Sequence, residues 1–485
     1  MAIHIKKILD YFEQLNSIPR CSGNEVQVCR WLQQWADALG YESQVDAGGN
    51  LVVRVPAADG HNTDPILIIQ GHMDMVCEKT PDSKHDFSRD PIRSRMDQQW
   101  LTADDTTLGA DNGIAIAYMM ALAEDTDLVR PPLELLFTVD EESGLNGAKL
   151  LQPDFVKGNV LINLDSEDEG IFTIGCAGGV DTTLTRKMSI EPVPADHQAY
   201  CLLIGGLKGG HSGIDIGKHR ANANKILARA LGRIRSTCAM RIGSLEGGTR
   251  HNAIPRDAKA TVLLPPAEAM TVQKAVKALE SVVLAEYGAT DPEIFIRFEA
   301  EADGPNIQKA LTPADSQHVV QMLMALPSGV ASMSSEFQGL VETSSNLATV
   351  TLTDDQLSIL LSQRSAVMSR LEEIRSAVHS LAALAGAEVQ DANAYPPWQP
   401  NTESLVLKTS KAVYQRMYGR PPEIQVIHAG LECAVIGDIY SGMDMISFGP
   451  TIENPHAPGE RLLVPSVEAV WKFLVATIED LATTG

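Results

Sequence analysis

His72 and Asp74 lie two residues apart, directly after the apolar run 66–69, and their types and spacing suit metal chemistry. The run lacks polar alternation, which is typical of a buried strand in a parallel sheet. Side chains two positions apart on a strand point to the same side, so both would face the crevice at the strand's carboxyl end. A neutral imidazole can ligate a metal while a carboxylate on its other ring nitrogen fixes its tautomer. Taken alone, the two residues are equally well explained as a hydrogen-bonded pair at a strand end.

Asp111 is a second candidate, and it precedes the segment 114–124, which has helical spacing. A carboxylate at this position can cap the helix and interact favourably with its dipole. Gly109 and Gly113 lie on either side, and glycine lets the backbone adopt strained geometry and approach another group closely. The sequence therefore allows either a structural cap or a ligand here.

Acidic residues also follow two further predicted strands. One strand ends in Asp140-Glu141-Glu142, and the next is followed by Asp165. Consecutive carboxylates repel one another unless a cation neutralises them. His456 lies shortly after another segment with strand character. Each of these features by itself could belong to an ordinary surface turn.

The strand ends of a sheet meet at one edge, so these sites are expected to converge in one crevice. Two histidines and three carboxylates suit two zinc or manganese ions. Five ligands are few for two separate tetrahedral sites, so one carboxylate must bridge the two ions. Of the adjacent acids, one can ligate while the other stays available as a base. The predicted positions are His72, Asp111, Glu141 or Glu142, Asp165 and His456.

The order of predicted elements indicates an α/β domain interrupted by an inserted domain. The chain, at 485 residues, is too long for one core. Within 187–397 the pattern changes to that of an α+β sandwich of ferredoxin-like kind, built from two similar runs. The α/β pattern then resumes and brings His456 back to the first sheet. We expect a central mixed sheet flanked by helices from 1–186 and 398–485, with 78–108 as a long surface excursion.

Composition excludes several classes of function. A net charge of −23 argues against nucleic acid or an anionic membrane as a partner, because both require basic patches. No apolar run approaches the roughly 20 residues needed to span a bilayer, and the amino terminus lacks a signal-peptide pattern. Seven scattered cysteines without a CxxC pair suit a reducing cytosol better than a disulfide framework. The sequence therefore predicts a cytoplasmic protein.

Five segments in order resemble the aminoacylase-type di-zinc metallopeptidases. They are GHMDMV (71–76), LGADNGIA (108–115), TVDEESG (138–144), NLDSED (163–168) and GPTIENPHAPGE (449–460). Four segments of the remaining chain narrow the resemblance to the dipeptidases of that superfamily that split aminoacyl-histidine substrates. They are GLKGGHSG (206–213), GGTRHNAIPR (247–256), SQRSAVMSRL (362–371) and IHAGLEC (427–433). The resemblance covers essentially the whole chain.

The resemblance implies a role for each metal-site residue. His72 would bind one metal and His456 the other, with Asp111 bridging them. Glu142 and Asp165 would complete the two sites. The expected metal is zinc, with manganese or cobalt as alternatives. A cis peptide bond is implied between Asp111 and the residue that follows it.

The resemblance also assigns roles to residues that are not metal ligands. Asp74 would orient the imidazole of the first ligand, and Glu141 would be the general base that takes the proton of the attacking water. His211, in a lid and dimerisation domain at 187–397, would reach the partner subunit's site in a homodimer and stabilise the oxyanion. Asn252 and Arg364 would hold polar groups of the substrate, including its terminal carboxylate. The segment 427–433 receives no role.

The expected activity is hydrolysis of small dipeptides such as β-Ala-His. A deacylase of N-acyl amino acids is an alternative that needs the same metals and differs only in the acyl pocket. A catalytically silent, metal-stabilised binding protein would be expected to have lost a ligand or the base, yet every motif residue is present. A metal phosphoesterase is disfavoured because no glycine-rich phosphate loop or basic cluster accompanies the acids.

Overall fold

The computed structural model describes residues 2–301 and 307–483. The chain forms two compact units. The first unit comprises Met1–Cys176, Trp398–Val426 and Leu431–Gly485, and the second comprises Ala177–Pro397 and Ile427–Gly430. The domain boundaries expected from the sequence, at 186/187 and 397/398, stay a prediction.

An eight-stranded mixed sheet organises the first unit. Its four central strands run parallel to one another, and antiparallel strands complete it at both sides. In spatial order the strands are Glu42–Val45, Leu51–Val55, Leu133–Thr138, Leu67–His72, Val160–Asn163, Asp444–Ser447, Ile171–Cys176 and Glu423–Ile427. The central strands are apolar and almost fully buried, as expected for parallel strands that are covered on both faces.

Helices complete the first unit. Ala110–Ala123 is buried along nearly its whole length, because its sequence is apolar on every face. By contrast, Val26–Leu39 has a polar face and ends at Gly40, whose positive φ of 74° suits a glycine C-cap. The helices are Ala2–Asn16, Val26–Leu39, Ala110–Ala123, Asn146–Lys149, Leu405–Tyr418, Glu432–Ile439 and Val464–Thr483.

A small four-stranded sheet lies within the first unit. The segment 78–108, which was expected to be a long surface excursion, is exposed or half-buried up to residue 100, and it contains the antiparallel strands Ser94–Asp97 and Trp100–Ala103. The second of these pairs with Arg461–Leu463, which in turn pairs with Ile452–Glu453. The partner strands lie more than 350 residues further along the chain, so local sequence gives no sign of this sheet.

The second unit is built on a nine-stranded antiparallel sheet. The two runs expected to be similar are halves of this one sheet, because Arg241–Gly247 pairs with Val341–Thr353. In spatial order the main path is Phe295–Ala300, Gln198–Gly205, Ala258–Leu264, Arg241–Gly247, Val341–Thr353, Gln356–Ser365, Gly178–Lys187 and Glu388–Tyr395, with Gly329–Met333 beside Val341–Thr353.

Among the described residues of this unit, four helices and several short elements accompany the sheet. Buried aliphatic side chains of Ala223–Thr237 pack with those of the strands in a single core cluster. The helices are Ala223–Thr237, Ala269–Tyr287, Pro313–Ala325 and Met368–Leu384. The short strand pairs are Ile190–Pro192 with Lys309–Leu311 and Gly210–His211 with Ala253–Ile254, and the 3₁₀ turns are Ile216–Lys218 and Pro266–Glu268.

Cys21 and Cys77 form a disulfide, with their Cα atoms 5.7 Å apart. The expectation that the cysteines stay reduced is therefore wrong for this pair. The two cysteines lie 56 residues apart, and an isolated bridge between Cys21 and Met75 brings their segments together. Among the described residues, no helix combines the length and apolar character that crossing a membrane requires.

Candidate metal centre

The carboxyl ends of the parallel strands bring three of the predicted ligands together. His72 is the last residue of its strand, and Asp165 follows Val160–Asn163 after one intervening residue. Glu142 lies in the turn after Leu133–Thr138. The Nε2 atom of His72 lies 3.4 Å from Oδ1 of Asp165.

Asp111 lies between the two predicted histidine ligands, at the start of the buried helix. Its Oδ1 is 3.1 Å from Nε2 of His72, and its Oδ2 is 2.9 Å from Nε2 of His456. The backbone of Asp111 is not helical, and the expected cis peptide bond to Asn112 is present. The carboxylate is therefore not a simple helix cap, because each of its oxygens faces a different imidazole.

The next residue, Asn112, fixes the start of this helix against two strands. Its Oδ1 accepts the backbone N–H of His72 at 3.2 Å, and its Nδ2 donates to the carbonyl of Leu164 at 2.8 Å. Both contacts are buried. The amide side chain thus holds the position of Asp111 relative to the strands that carry His72 and Asp165.

The potential ligand atoms form two groups of three that share Asp111. Within each group these atoms lie within 4.8 Å of one another. One group is His72, Asp111 and Asp165, and the other is Asp111, Glu142 and His456. Glu142 Oε2 is 3.1 Å from Nε2 of His456, while its Oε1 is buried without a hydrogen-bond partner. Two nitrogen and three carboxylate donors with a shared carboxylate fit a pair of divalent metal ions.

Electrostatics in this cluster favour added positive charge. Burial lowers the pKa of His72, but Asp165 and the other neighbouring carboxylates outweigh it and raise that pKa well above its usual range. For His456, burial likewise lowers the pKa, while Asp111 and Glu142 raise it to about 11. The neighbouring carboxylates thus favour the protonated form of each imidazole. Metal binding would displace these protons, because only the neutral imidazole ligates.

Asp74 is fully buried and contacts the ring nitrogen of His72 that does not face Asp111 and Asp165. Its Oδ1 lies 3.2 Å from Nδ1 of His72, which leaves Nε2 directed at the other carboxylates. The same carboxylate accepts the backbone N–H groups of Glu141 and Glu142 at 3.1 and 3.2 Å, and the hydroxyl of Ser22 at 2.8 Å. Asp74 thus orients the imidazole and fixes the turn that carries the two glutamates.

Glu141 is adjacent to the cluster without belonging to either group that shares Asp111. One of its oxygens lies within 4.8 Å of ligand atoms of both His72 and Glu142. Burial raises its pKa well above the usual range, and Glu142 raises it further against the lowering effect of His72. Glu141 is therefore a carboxyl group beside the candidate metals that can act as an acid or a base.

In the second unit, two predicted residues lie on paired segments. His211 pairs with Ala253 in the short two-stranded antiparallel sheet, and the carbonyl of Asn252 accepts the N–H of Ser212 at 2.8 Å. The Nδ1 atom of His211 accepts the backbone N–H groups of Gly213 and Ile214, both at 3.2 Å. A ring nitrogen that accepts must be unprotonated, so the neutral imidazole carries its proton on Nε2.

Arg364 lies in the same unit and is 7% exposed. Its Nη1 donates to the hydroxyl of Tyr395 at 2.6 Å, and its Nε is buried without a partner. Among the acids that the structure describes, none lies within ion-pair distance of this guanidinium. A buried cation without an anionic partner is costly, so an anionic group beside this guanidinium would be stabilising.

Sequence reasoning gave no role to three buried charged residues near the candidate ligands. Arg20 and Glu460 contact the backbone of the ligand-bearing segments. Glu432 accepts hydrogen bonds from Gln70 and Thr138, both at 2.6 Å. Glu460 could have been suspected from its place four residues after His456, and Glu432 from its family-like segment. Nothing local distinguishes Arg20 from a surface arginine.

A shared carboxylate between two histidines, at the carboxyl ends of a parallel sheet, is typical of hydrolases that use two divalent metals. A family model described as a peptidase dimerisation domain, M20_dimer, matches residues 204–291. Over 472 residues the chain is 38% identical to the cytosol non-specific dipeptidase of Escherichia coli (strain K12), with 97% of each chain covered. The chain belongs to the M20 family of peptidases and is therefore a hydrolase of peptide bonds, which confirms the predicted superfamily.

Solved structures agree with this assignment. The crystal structure of aminoacylhistidine dipeptidase from Vibrio alginolyticus matches with a TM-score of 0.87 and 37% identity, covering 98% of this chain and 96% of that one. Human carnosine dipeptidase 1 matches with a TM-score of 0.52 and 12% identity, covering 99% and 97%, which supports the fold alone. The predicted mixed α/β architecture is confirmed.

Proposed function

We propose that the protein hydrolyses dipeptides, including Xaa-His substrates such as β-Ala-His, at a centre that holds two divalent metals. The observation that carries this proposal is the pair of three-residue groups that share Asp111. His72 and Asp165 would hold one ion, and Glu142 and His456 the other. When bound, two such ions would polarise the scissile carbonyl and acidify the attacking water. Zinc is our first choice, because it suits mixed imidazole and carboxylate ligands.

Glu141 would be the general base. Its carboxylate takes the proton of the attacking water and later delivers it to the leaving amine. The proposal is supported by the position of Glu141. It lies close to His72 in one of the groups that share Asp111 and to Glu142 in the other, but it is a member of neither group. Asp74 would hold this turn in place through the two backbone N–H groups that it accepts.

His211 would donate a hydrogen bond from Nε2 to the developing oxyanion. This role requires a proton on Nε2, and the two backbone N–H groups that Nδ1 accepts support that tautomer. Its position within the segment matched by the peptidase dimerisation model supports action across a homodimer interface. One such donor typically accounts for about 2.7–4 kcal/mol of barrier lowering.

Arg364 and Asn252 would bind the substrate's polar groups. A dipeptide has a free terminal carboxylate, which could pair with the guanidinium of Arg364, whose Nε is buried without a hydrogen-bond partner. Charge-assisted hydrogen bonds of this kind are stronger than neutral ones. Asn252 would contribute an amide from the loop beside His211. We further propose that the protein works in the cytosol, as the name of its Escherichia coli relative states for that protein.

The test is hydrolysis of β-Ala-His, Gly-His, Leu-Leu and N-acetyl amino acids by protein loaded with Zn²⁺ or with Mn²⁺. Cleavage of the dipeptides with slow or absent deacylation is expected. Faster cleavage of N-acetyl amino acids would instead make the protein a deacylase. Binding of two metals without hydrolysis of any of these compounds would overturn the catalytic proposal.

A further inference from the structure

Glu460 is 2% exposed and binds four consecutive backbone N–H groups. Its Oε2 accepts from Leu108 and Gly109 at 2.7 and 2.9 Å. Its Oε1 accepts from Ala110 and Asp111 at 2.7 and 3.2 Å. A carboxylate with both oxygens satisfied in this way can remain charged although it is buried.

These contacts connect two ligands that belong to distant parts of the chain. Asp111 is one of the four donors, and His456 lies four residues before Glu460 in the same connection between strands. The N–H of Glu460 is itself held by the carbonyl of Ala457 at 3.0 Å. The relative positions of Asp111 and His456 therefore depend directly on the side chain of Glu460.

Arg20 connects the same segment, 108–111, to the residues that follow His72. Its Nη2 donates to the carbonyl of Gly109 at 2.6 Å. Its Nη1 donates to the carbonyls of Met73 and Asp74 at 3.1 and 2.9 Å, directly after His72. Arg20 is 1% exposed, so these contacts are fully buried.

Two glycines make room for this guanidinium. A Cβ on Gly109 would lie 2.5 Å from Nη2 of Arg20, and a Cβ on Gly113 would lie 2.6 Å from the same atom. Gly109 also has a φ of +71°, which favours glycine. The glycines on either side of Asp111 are thus explained by the approach of Arg20.

We propose that Glu460 and Arg20 are positioning residues that set the spacing of His72, Asp111 and His456. Arg20 connects the end of the His72 strand to the segment 108–111, and Glu460 connects that segment to the His456 connection. With this spacing, Asp111 faces both imidazoles at once. Loss of either residue separates the two halves of the centre. The inference rests on the proposed metal centre.

The first test compares Glu460→Gln with the matched control Glu134→Gln. Glu134 is 2% exposed and accepts the backbone N–H groups of Lys157 and Gly158 at 2.7 and 3.0 Å, near the amino-terminal ends of the strands whose carboxyl ends carry the candidate ligands. Zn²⁺ dissociation constants are measured by competition with a chelator, and bound metal by elemental analysis. Glu460→Gln is expected to weaken binding of at least one ion by roughly 10–100-fold. The control should bind both ions as the wild type does.

Two further readouts separate positioning from general stability. The visible spectrum of the Co²⁺-loaded protein should change in Glu460→Gln and stay unchanged in Glu134→Gln. The melting temperatures of the two metal-free variants should fall by comparable amounts. Wild-type metal affinity and an unchanged Co²⁺ spectrum in Glu460→Gln would overturn the proposal.

Arg20→Lys provides a second variant if Glu460→Gln does not fold. Lysine keeps the charge, but its single ammonium group cannot donate to the carbonyls of Met73 and Asp74 and to that of Gly109 at the same time, as the planar guanidinium does. Its control is Arg130→Lys, because Arg130 is also buried and donates to the carbonyls of Pro56 and Asp125. Weakened metal binding in Arg20→Lys alone is the expected result, and equal binding in both variants would contradict it. If the wild type binds two ions but cleaves no dipeptide, the proposed function fails while this inference stands.

Discussion

Asp111 shows how a single side chain joins two halves of a site. Its oxygens face His72 and His456, which lie 384 positions apart in the sequence and contact it at 3.1 and 2.9 Å. Either histidine alone would make an ordinary hydrogen-bonded pair with an aspartate. Both together, with Asp165 and Glu142 beside them, form two groups of side chains that share Asp111 and could each hold a metal ion.

At the residue scale, Glu141→Gln should lower kcat by roughly 10²–10⁴-fold while bound metal stays at the wild-type level. Glutamine keeps the shape of glutamate but cannot accept the water's proton. Steady-state kinetics and elemental analysis of the same samples measure both effects. The comparison variant Glu142→Gln should lose metal. Loss of metal in Glu141→Gln instead would mean that the roles of the two glutamates are exchanged.

Arg364→Met should lower kcat/KM for dipeptides by roughly 30-fold or more, since losing one partner of a buried charge pair costs about 2–5 kcal/mol. The effect should depend on the substrate's terminal carboxylate. For the C-terminal amide of β-Ala-His, wild type and variant should therefore differ little. The exposed Arg375→Met serves as the control and should behave as the wild type. An equal loss with acid and amide substrates would mean that Arg364 does not bind the carboxylate.

At the scale of elements, the parallel strands explain why the ligands converge. Leu67–His72 pairs in parallel with both Leu133–Thr138 and Val160–Asn163, so three carboxyl ends lie side by side. The buried helix then brings Asp111 to the same edge of the sheet. The chemistry therefore depends on strand order, which secondary structure alone does not specify.

The short segment 427–430 offers a test of pH dependence in the second unit. His428 is 7% exposed and contacts the hydroxyl of Ser344 at 2.7 Å. Burial, together with the nearby Arg364 and His211, lowers its pKa to about 3. In the unfolded chain its pKa is about 6.5. Between these values the unfolded chain binds one more proton, so His428 makes stability rise with pH and fall on acidification.

The free energy of unfolding of the wild type should therefore drop by about 1 kcal/mol more than that of His428→Gln between pH 6 and pH 5. Urea titrations at matched protein concentration measure this difference. At pH 8 the histidine is neutral in both the folded and the unfolded state. The difference in free energy of unfolding between the wild type and His428→Gln should therefore no longer change with pH there. Parallel pH profiles from pH 8 to pH 5 would show that His428 does not titrate in this way.

At the scale of the whole molecule, His211 lies within residues 204–291, which match the family model of a peptidase dimerisation domain. If His211 acts in the partner's site, two damaged chains can complement each other in a homodimer. An intact site would then take its base, Glu141, from one chain and its oxyanion donor, His211, from the other chain.

Mixing inactive Glu141→Gln with inactive His211→Ala should restore about a quarter of wild-type activity. Half of the randomly exchanged dimers are hybrids, and each hybrid has one intact site of two. Activity is measured after subunit exchange has been demonstrated with differently tagged chains. Mixing each variant with itself is the control. Complete exchange without recovered activity would place His211 in its own subunit's site or outside the mechanism.

The sequence by itself determined the features that depend on neighbouring residues. Apolar runs followed by acids indicated the strand ends, and family motifs indicated the predicted ligands, such as His72 and His456. These signals are local, because side-chain direction alternates along a strand and turn residues follow directly.

Only the tertiary structure decided which distant groups meet. The four N–H groups bound by Glu460, the carbonyls bound by Arg20 and the Cys21–Cys77 disulfide all join segments far apart in sequence. The small sheet that includes Trp100–Ala103 depends on the same long-range pairing. Backbone N–H and C=O groups are identical at almost every residue, so the sequence does not mark which of them a buried charge will reach. Their positions follow from packing of the complete chain.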